Sequence, residues 1–399
     1  MSRVTTLIIL GCVLAAGLLS PTRPVAAAPA ASPSDWPSLN YDAAQSNYNA
    51  AERSLSARNV LKLRVKRWPA ILTTDQSYPI VAAGRLYVPF LAHNRVHVRA
   101  IDLTTGKPVA TYPKDALGGL LYDGGNLYLA GHILQVVDPA SGDKLAQIAA
   151  TPPVRNSAFV YPLADHGIVL AGLAGGASSK LYAVSATTNH VLRTLQSSSA
   201  IGAVISGHVV TAVSTGSAFY DESNGRQLMR QPLVGSDWFA GSELAYSVAP
   251  ARSGRATLVA YDGTGHRAWG RTVGPVLSTQ NADWPHAVGP NAVYVQVLSP
   301  RTGVEALDPL TGKPLWTAPI PFVQRIALVN DVLLVLTYSL GQPVKLVAVR
   351  PQSGKIIGAI VLSSGYYAFG AANELMAANG MVFIRVTGPT GPQIVALGL

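Results

Sequence analysis

The 399-residue chain contains a single cysteine, Cys12. That excludes an internal disulfide framework, a cysteine-clustered zinc site and a C-x-x-C-H haem attachment. Charge is scarce as well: 13% of residues are Asp, Glu, Lys or Arg, and only 20 are acidic. Many of these acids stand in turn sequences, so no cluster of hard-cation ligands is evident. No G-x-S-x-G elbow occurs, which leaves a hydrolase triad without support. His93 and His97 are four residues apart, but on a strand that spacing separates them by roughly 13 Å, too far to share one ion. No metal site is assigned.

Long apolar runs are also few. One uncharged stretch, Val4 to Leu19, follows Arg3 and precedes Val25-Ala26-Ala27-Ala28. It is shorter than the roughly 18 to 20 residues of a spanning helix, and its flanks are those of a secretory signal over 1–28. The expected location is extracytoplasmic: secreted, periplasmic or on the cell surface. Ile9-Leu10-Gly11-Cys12 also resembles a bacterial lipobox, and a lipidated Cys12 would tether the protein to a membrane. The apolar run continues through Val13 to Ala16, which favours ordinary cleavage and a mature chain with no thiol. Its stability would then come from buried apolar surface.

What the chain does have is hydrophobic residues (49%), 37 glycines and 28 prolines, the composition of many short strands and tight turns. One unit recurs, clearest at Val304-Glu305-Ala306-Leu307-Asp308-Pro309-Leu310-Thr311-Gly312-Lys313-Pro314-Leu315-Trp316. A short strand leads to a turn in which Asp308 can bond nearby amides and Gly312 accepts positive φ, and the returning strand carries Trp316. Weaker copies centre on Asp102 (with Gly106), Asp138 (with Gly142), Ser185, Asp221, Asp262, Arg350 and Gly398, spaced 36 to 48 residues apart. A period of about 40 to 45 residues with several short strands is that of a propeller blade.

The expected fold is all-β: an eight-bladed β-propeller of four-stranded antiparallel blades over 60–399, preceded by a lead-in over 29–59. Seven blades is the alternative, because the copies at Ser185 and Gly398 are weak. Val60 to Trp68 reads as the outermost strand of a blade with no earlier strands. Gln393 to Leu399 reads as an inner strand that stops before its returning partner. If the two pair, the ring closes and no open edge remains. Trp269 and Trp68 join Trp316 as aromatics of the repeat, whereas Ala110, Ala146 and Gly358 stand at that position in other copies.

The net charge of +10 is dispersed. Its one patterned group, Lys62, Arg64 and Lys66, alternates along a strand and reads as a solvated face, so no nucleic-acid partner is expected, and a monomer is. Candidate ligand-binding residues lie on the connections from one blade's outer strand to the next blade's inner strand, which border the channel. Gln280, Asp283, Trp284 and His286 form the richest group, with Tyr78, Trp238, Arg325 and Tyr366 on other connections. Such a ring could hold a peptide, glycan or small ligand by stacking and hydrogen bonds; the same residues also serve as turn-formers and packing.

The W-x3-N-x-D, E-x2-L and L-x-L-x4-W spacings of Trp36 to Asp42, Glu52 to Leu55 and Leu61 to Trp68 resemble the lead-in of the pyrroloquinoline-quinone-like (quinoprotein alcohol dehydrogenase-like) β-propellers. Ala306 to Trp316 is similar to that family's A-x-D-x-x-T-G-x-x-x-W repeat at each defining position. For the catalytic branch, the resemblance implies a quinone and a calcium or lanthanide ion at the channel mouth, an Asp base and often a vicinal cysteine pair. This chain has no such pair. The expectation is therefore a non-catalytic member: an exported binding or scaffolding protein without a redox cofactor, its partner a protein or a cell-envelope polymer. Two alternatives stay open. One is a PQQ-dependent dehydrogenase with calcium at an atypical metal site and Asp283 or Asp75 as base. The other is a lipid-anchored scaffold in envelope protein assembly, which needs a lipidated Cys12.

Overall fold

The computed structural model describes residue 32 and residues 34–399, except 75–76, 113–115, 150–157, 175–179, 197–201, 214–215, 232–237, 251–254, 276–283, 299–301, 363–364 and 367–373. The signal segment, Cys12, Asp75, Gln280 and Asp283 lie outside the described residues. The strands form eight antiparallel blades, seven of them built of sequence-consecutive strands and the eighth completed by the N-terminal strand, with strands counted here from the axis outward. Blade 1, for example, is Ile80–Ala82, Arg85–Ala92, Arg95–Asp102 and Pro108–Tyr112. The copies at Ser185 and Gly398 each end the third strand of a complete blade, so the count is eight.

The Asp turn is the same device in blade after blade. Asp308 Oδ1 accepts from the Thr311 amide and hydroxyl, both at 2.8 Å, and the Gly312 amide donates to the Asp308 carbonyl at 2.9 Å. A β-bulge falls at the residue before the anchor, as between Ala306 and Leu307, and re-aims the outer strand. At the weak copy, Ser185 Oγ accepts from the Thr188 amide, and Asn189 (φ 57°) takes the place of glycine. Arg350 has no acceptor side chain, yet its carbonyl still receives the Gly354 amide at 2.9 Å.

Closure uses the N-terminal strand. Arg64 and Val65 pair antiparallel with Gly398 and Leu397, outside the strands Leu375–Ala378, Met381–Gly388 and Gly391–Gly398. The C-terminal strand is thus the third of blade 8, not an inner one, because Leu375–Ala378 precedes it toward the axis. Between blades, both faces of the second and third strands are covered: Tyr128 and Val136 of blade 2 pack with Phe159 and Val169 of blade 3. Trp316 and Ala306 are cross-strand partners, and the register places Ala110 opposite Ala100, Ala146 opposite Val136 and Gly358 opposite Ala348. Where Ala110 leaves the aromatic position empty, Tyr112 lies against Gly142 of the next blade and donates its hydroxyl to the Pro139 carbonyl.

Candidate functional site

Antiparallel blades put the turns between first and second strands, and the Asp turns, at one end of the channel. The first strands line the axis, and their inward backbone groups have no strand to pair with. The lead-in supplies the partners. Trp36 exchanges two backbone bonds with Val81 of blade 1 (2.7 and 2.8 Å), and Pro37 accepts from Tyr122 of blade 2 at 2.9 Å. Ala43, Ala44, Ser46 and Asn47 then accept from Val204, Ala240, Val288 and Leu328, in blades 4, 5, 6 and 7, at 2.7 to 2.9 Å. Asn49 Nδ2 donates to the Ala377 carbonyl of blade 8 at 2.9 Å, and Ala43 packs on Leu163 of blade 3. Residues 36–49 therefore visit the blades in ring order and plug this end of the channel.

Two buried acids pin the plug to the seam where the ring closes. Asp35 accepts from the amides of Ser32 and Ala83 (2.8 Å each) and from Asn379 Nδ2 (2.9 Å). Glu52 accepts from the amides of Ser54, Leu55 and Gly380 at 2.6, 3.1 and 2.9 Å. Positive φ at Asn40, Tyr41, Gln45 and Asn47 lets the segment wind this tightly. Burial, followed by the charge of Asp42, pushes the Tyr41 hydroxyl up to about 12.

The sequence candidates are spread over several blades. His286 and Trp284 come together at the start of blade 6's first strand. His286 Nδ1 is 2.7 Å from the Trp284 carbonyl, Nε2 is 2.9 Å from the Gln45 carbonyl of the plug, and the ring stacks on Phe239 at 3.8 Å. Trp284 Nε1 donates to the Gln296 carbonyl at 3.0 Å. Trp238, buried in blade 5, meets Phe219 and Tyr261 edge-on or tilted. Arg325 is buried in blade 7 and donates to the Gln324 carbonyl. Tyr78, leading into blade 1, lies 5.6 Å from the Tyr161 ring, with the Arg385 guanidinium 6.0 Å from its centroid. Tyr366 packs on the core near blade 8. The plug carried no signal among these candidates, although the polar run from Asn40 to Asn49 is dense in amides; only its end, Tyr48–Asn49, forms a strand, parallel to the first strand of blade 7.

At the opposite end of the molecule, blade 7 carries an apolar groove of about 390 Å³ between Pro319, Ile320, Pro321, Phe322, Tyr338 and Pro343. Phe322 is 57% exposed at φ 57°, and Leu340, on the adjoining turn, is 76% exposed. Among the described residues, one group of three His, Asp and Glu side chains has ligand spacing, Asp165, His166 and Glu222, and it lies on turns of blades 3 and 4.

A closed ring of blades with Asp turns and tryptophans seated on the next blade's glycine defines a PQQ-like β-propeller repeat protein. Residues 130–385 match the family model described as outer membrane protein assembly factor BamB, and the chain belongs to that family. Similar solved structures include the computationally designed Ika8 protein (13% identity, 84% of this chain and 98% of that chain, TM-score 0.58). BamB from Moraxella catarrhalis is another (13% identity, 84% and 100% coverage, TM-score 0.56). At this identity they show the fold. No curated protein matches the chain.

Proposed function

We propose that the protein is an exported propeller scaffold that binds another protein and carries no redox cofactor. The observation behind this reading is the groove of blade 7, where Phe322 and Leu340 face solvent beside a proline-lined apolar cleft. Exposed large apolar side chains around a concave surface suit an extended apolar segment of a partner. The description of the family as an outer membrane protein assembly factor supports a protein partner and an envelope location. Against quinone chemistry in the channel stands the use already made of its polar groups: His286 has both ring nitrogens against backbone carbonyls, and residues 36–49 fill one mouth.

The test is binding of short extended apolar peptides by fluorescence anisotropy. Wild type should bind, and Phe322→Ser with Leu340→Ser should lose roughly tenfold or more in affinity, since each removes a contact of the size of a hot spot. Binding that ignores both substitutions, or no binding at all, overturns the groove assignment. A melting temperature raised by pyrroloquinoline quinone plus calcium would replace the scaffold with a dehydrogenase. Intact mass of the mature protein decides between a lipidated Cys12 and ordinary cleavage.

A further inference from the structure

The turn Asp165-His166-Gly167 joins the first two strands of blade 3, and Glu222 sits beside the Asp221 turn of blade 4. One ligand atom from each of Asp165, His166 and Glu222 lies within 4.8 Å of the other two. His166 Nδ1 is 2.9 Å from Asp165 Oδ2, and the Glu222 amide is fixed by the Gly207 carbonyl at 2.9 Å. Glu222 is only 7% exposed, and its Oε1 is buried with no hydrogen-bond partner. An acceptor left unmade in this way is costly, more so when it carries charge.

We propose that Asp165, His166 and Glu222 bind a divalent transition-metal ion of the zinc type at the seam of blades 3 and 4.

The electrostatics of the cluster are those of crowded acidic groups. Burial, then the Asp165 charge and a shared hydrogen bond, pushes the Glu222 carboxyl up to about 7; His166 and Arg193 pull weakly the other way. Asp42 of the plug, raised to about 6 mainly by burial and in part by Asp165, lines the same pocket of about 280 Å³ with Asp165 and His166. Asp165 and His166 thus belong both to the ligand group with Glu222 and to the pocket that Asp42 lines. Calcium and magnesium take oxygen shells of six or more ligands, whereas an imidazole with two carboxylates suits zinc, cobalt or nickel. Three protein ligands leave room for water in the remaining position. A tetrahedral shell with bonds of about 2.0 to 2.2 Å requires the ligand atoms to draw closer, and His166, with its side chain 81% exposed, has room to move. Carboxylates and imidazole bind a metal in their deprotonated forms, so binding should weaken as pH falls.

The test is calorimetry and thermal melting of the untagged, chelator-treated protein with zinc, cobalt, magnesium and calcium chlorides. Zinc should bind one per chain and raise the melting temperature, and His166→Ala and Glu222→Gln should each weaken it by roughly tenfold or more. His166 is exposed, and Glu222→Gln removes like-charge repulsion, so both variants should fold. Cobalt should give a visible absorption spectrum that His166→Ala alters. Absence of zinc binding, zinc binding untouched by both substitutions, or equal binding of magnesium or calcium overturns the proposal.

Discussion

The indole of Trp316 in blade 6 is seated on Gly354 in the turn of blade 7: a Cβ at Gly354 would stand 2.6 Å from Cε3 of Trp316. The indole Nε1 also donates to the Pro351 carbonyl of that turn at 2.8 Å. Trp269 repeats this on Gly312 and Pro309, and Trp68, just past the closing strand, covers Gly106. The glycine therefore answers two demands, a positive φ and a ring against its Cα.

The two demands can be separated. Gly84 and Gly354 share φ +70°, but nothing lies within 4 Å of a Cβ at Gly84. Gly84→Ala should cost about 1 to 2 kcal/mol from backbone strain alone. Gly354→Ala should cost about 1 to 3 kcal/mol more from overpacking. Urea denaturation of the two variants measures the difference, and equal losses would mean that the indole yields freely.

Blades 5 and 6 share a bidentate ion pair, Arg271 Nε and Nη2 to Glu305 Oε2 and Oε1, each at 2.9 Å. Glu305 is buried while Arg271 is a third exposed. Arg271→Met should cost about 2 to 3 kcal/mol, because it strands a buried carboxylate. Arg271→Met with Glu305→Leu should recover much of that loss in a double-mutant cycle read by chemical denaturation.

Acid should weaken the turns. Hydrogen bonds from the Thr311 hydroxyl and amide hold Asp308 below its ordinary value, the amide and hydroxyl of Thr105 do so for Asp102, and the Ser223 hydroxyl leads for Asp221. A carboxyl depressed on folding contributes stability above its unfolded value, near pH 3.9, and loses it as pH falls through the folded value. Stability should therefore decline below about pH 4. Asp308→Asn should flatten that slope in melts taken from pH 5 to pH 2.5.

In the plug, Asn49 donates to the carbonyls of Ser34, Asp35 and Ala377 and accepts from the Glu52 amide. Asn49→Ala should cost about 3 kcal/mol through unpaired backbone groups. It should also open residues near Arg53 to trypsin, with the cleavage site read by mass spectrometry.

The Asp308 turn was legible because its bonds close within five residues, so local chemistry leaves a local signature. Closure by an N-terminal strand was legible from the same repeat, by what each chain end lacked, although the strand is only Arg64–Val65 and Val60–Lys62, expected as its start, is a 3-10 helix. The plug was not: Trp36 answers Val81, Ala44 answers Ala240 and Asn47 answers Leu328, isolated long-range contacts with no period to betray them. Trp238 and Trp284 read as loop aromatics from their polar neighbours, but both are buried, Trp238 beginning the first strand of blade 5 and Trp284 lying just ahead of that of blade 6. Tyr112 stands in for a missing ring two residues beyond Ala110, where a pattern aligned on the anchor does not look.

Lys66 hydrogen-bonds to Leu399, 333 residues away. On the ribosome, the closing strand and the plug emerge first, and the closing strand has no partner until blade 8 is made. Every earlier intermediate is an open arc with bare edges and a plug only partly partnered, the kind of species that associates with its own copies. Closing so large a loop also comes late and slowly. The protein should therefore fold as one cooperative event gated by its final strand, and a chain held unfolded during translocation would avoid that hazard altogether.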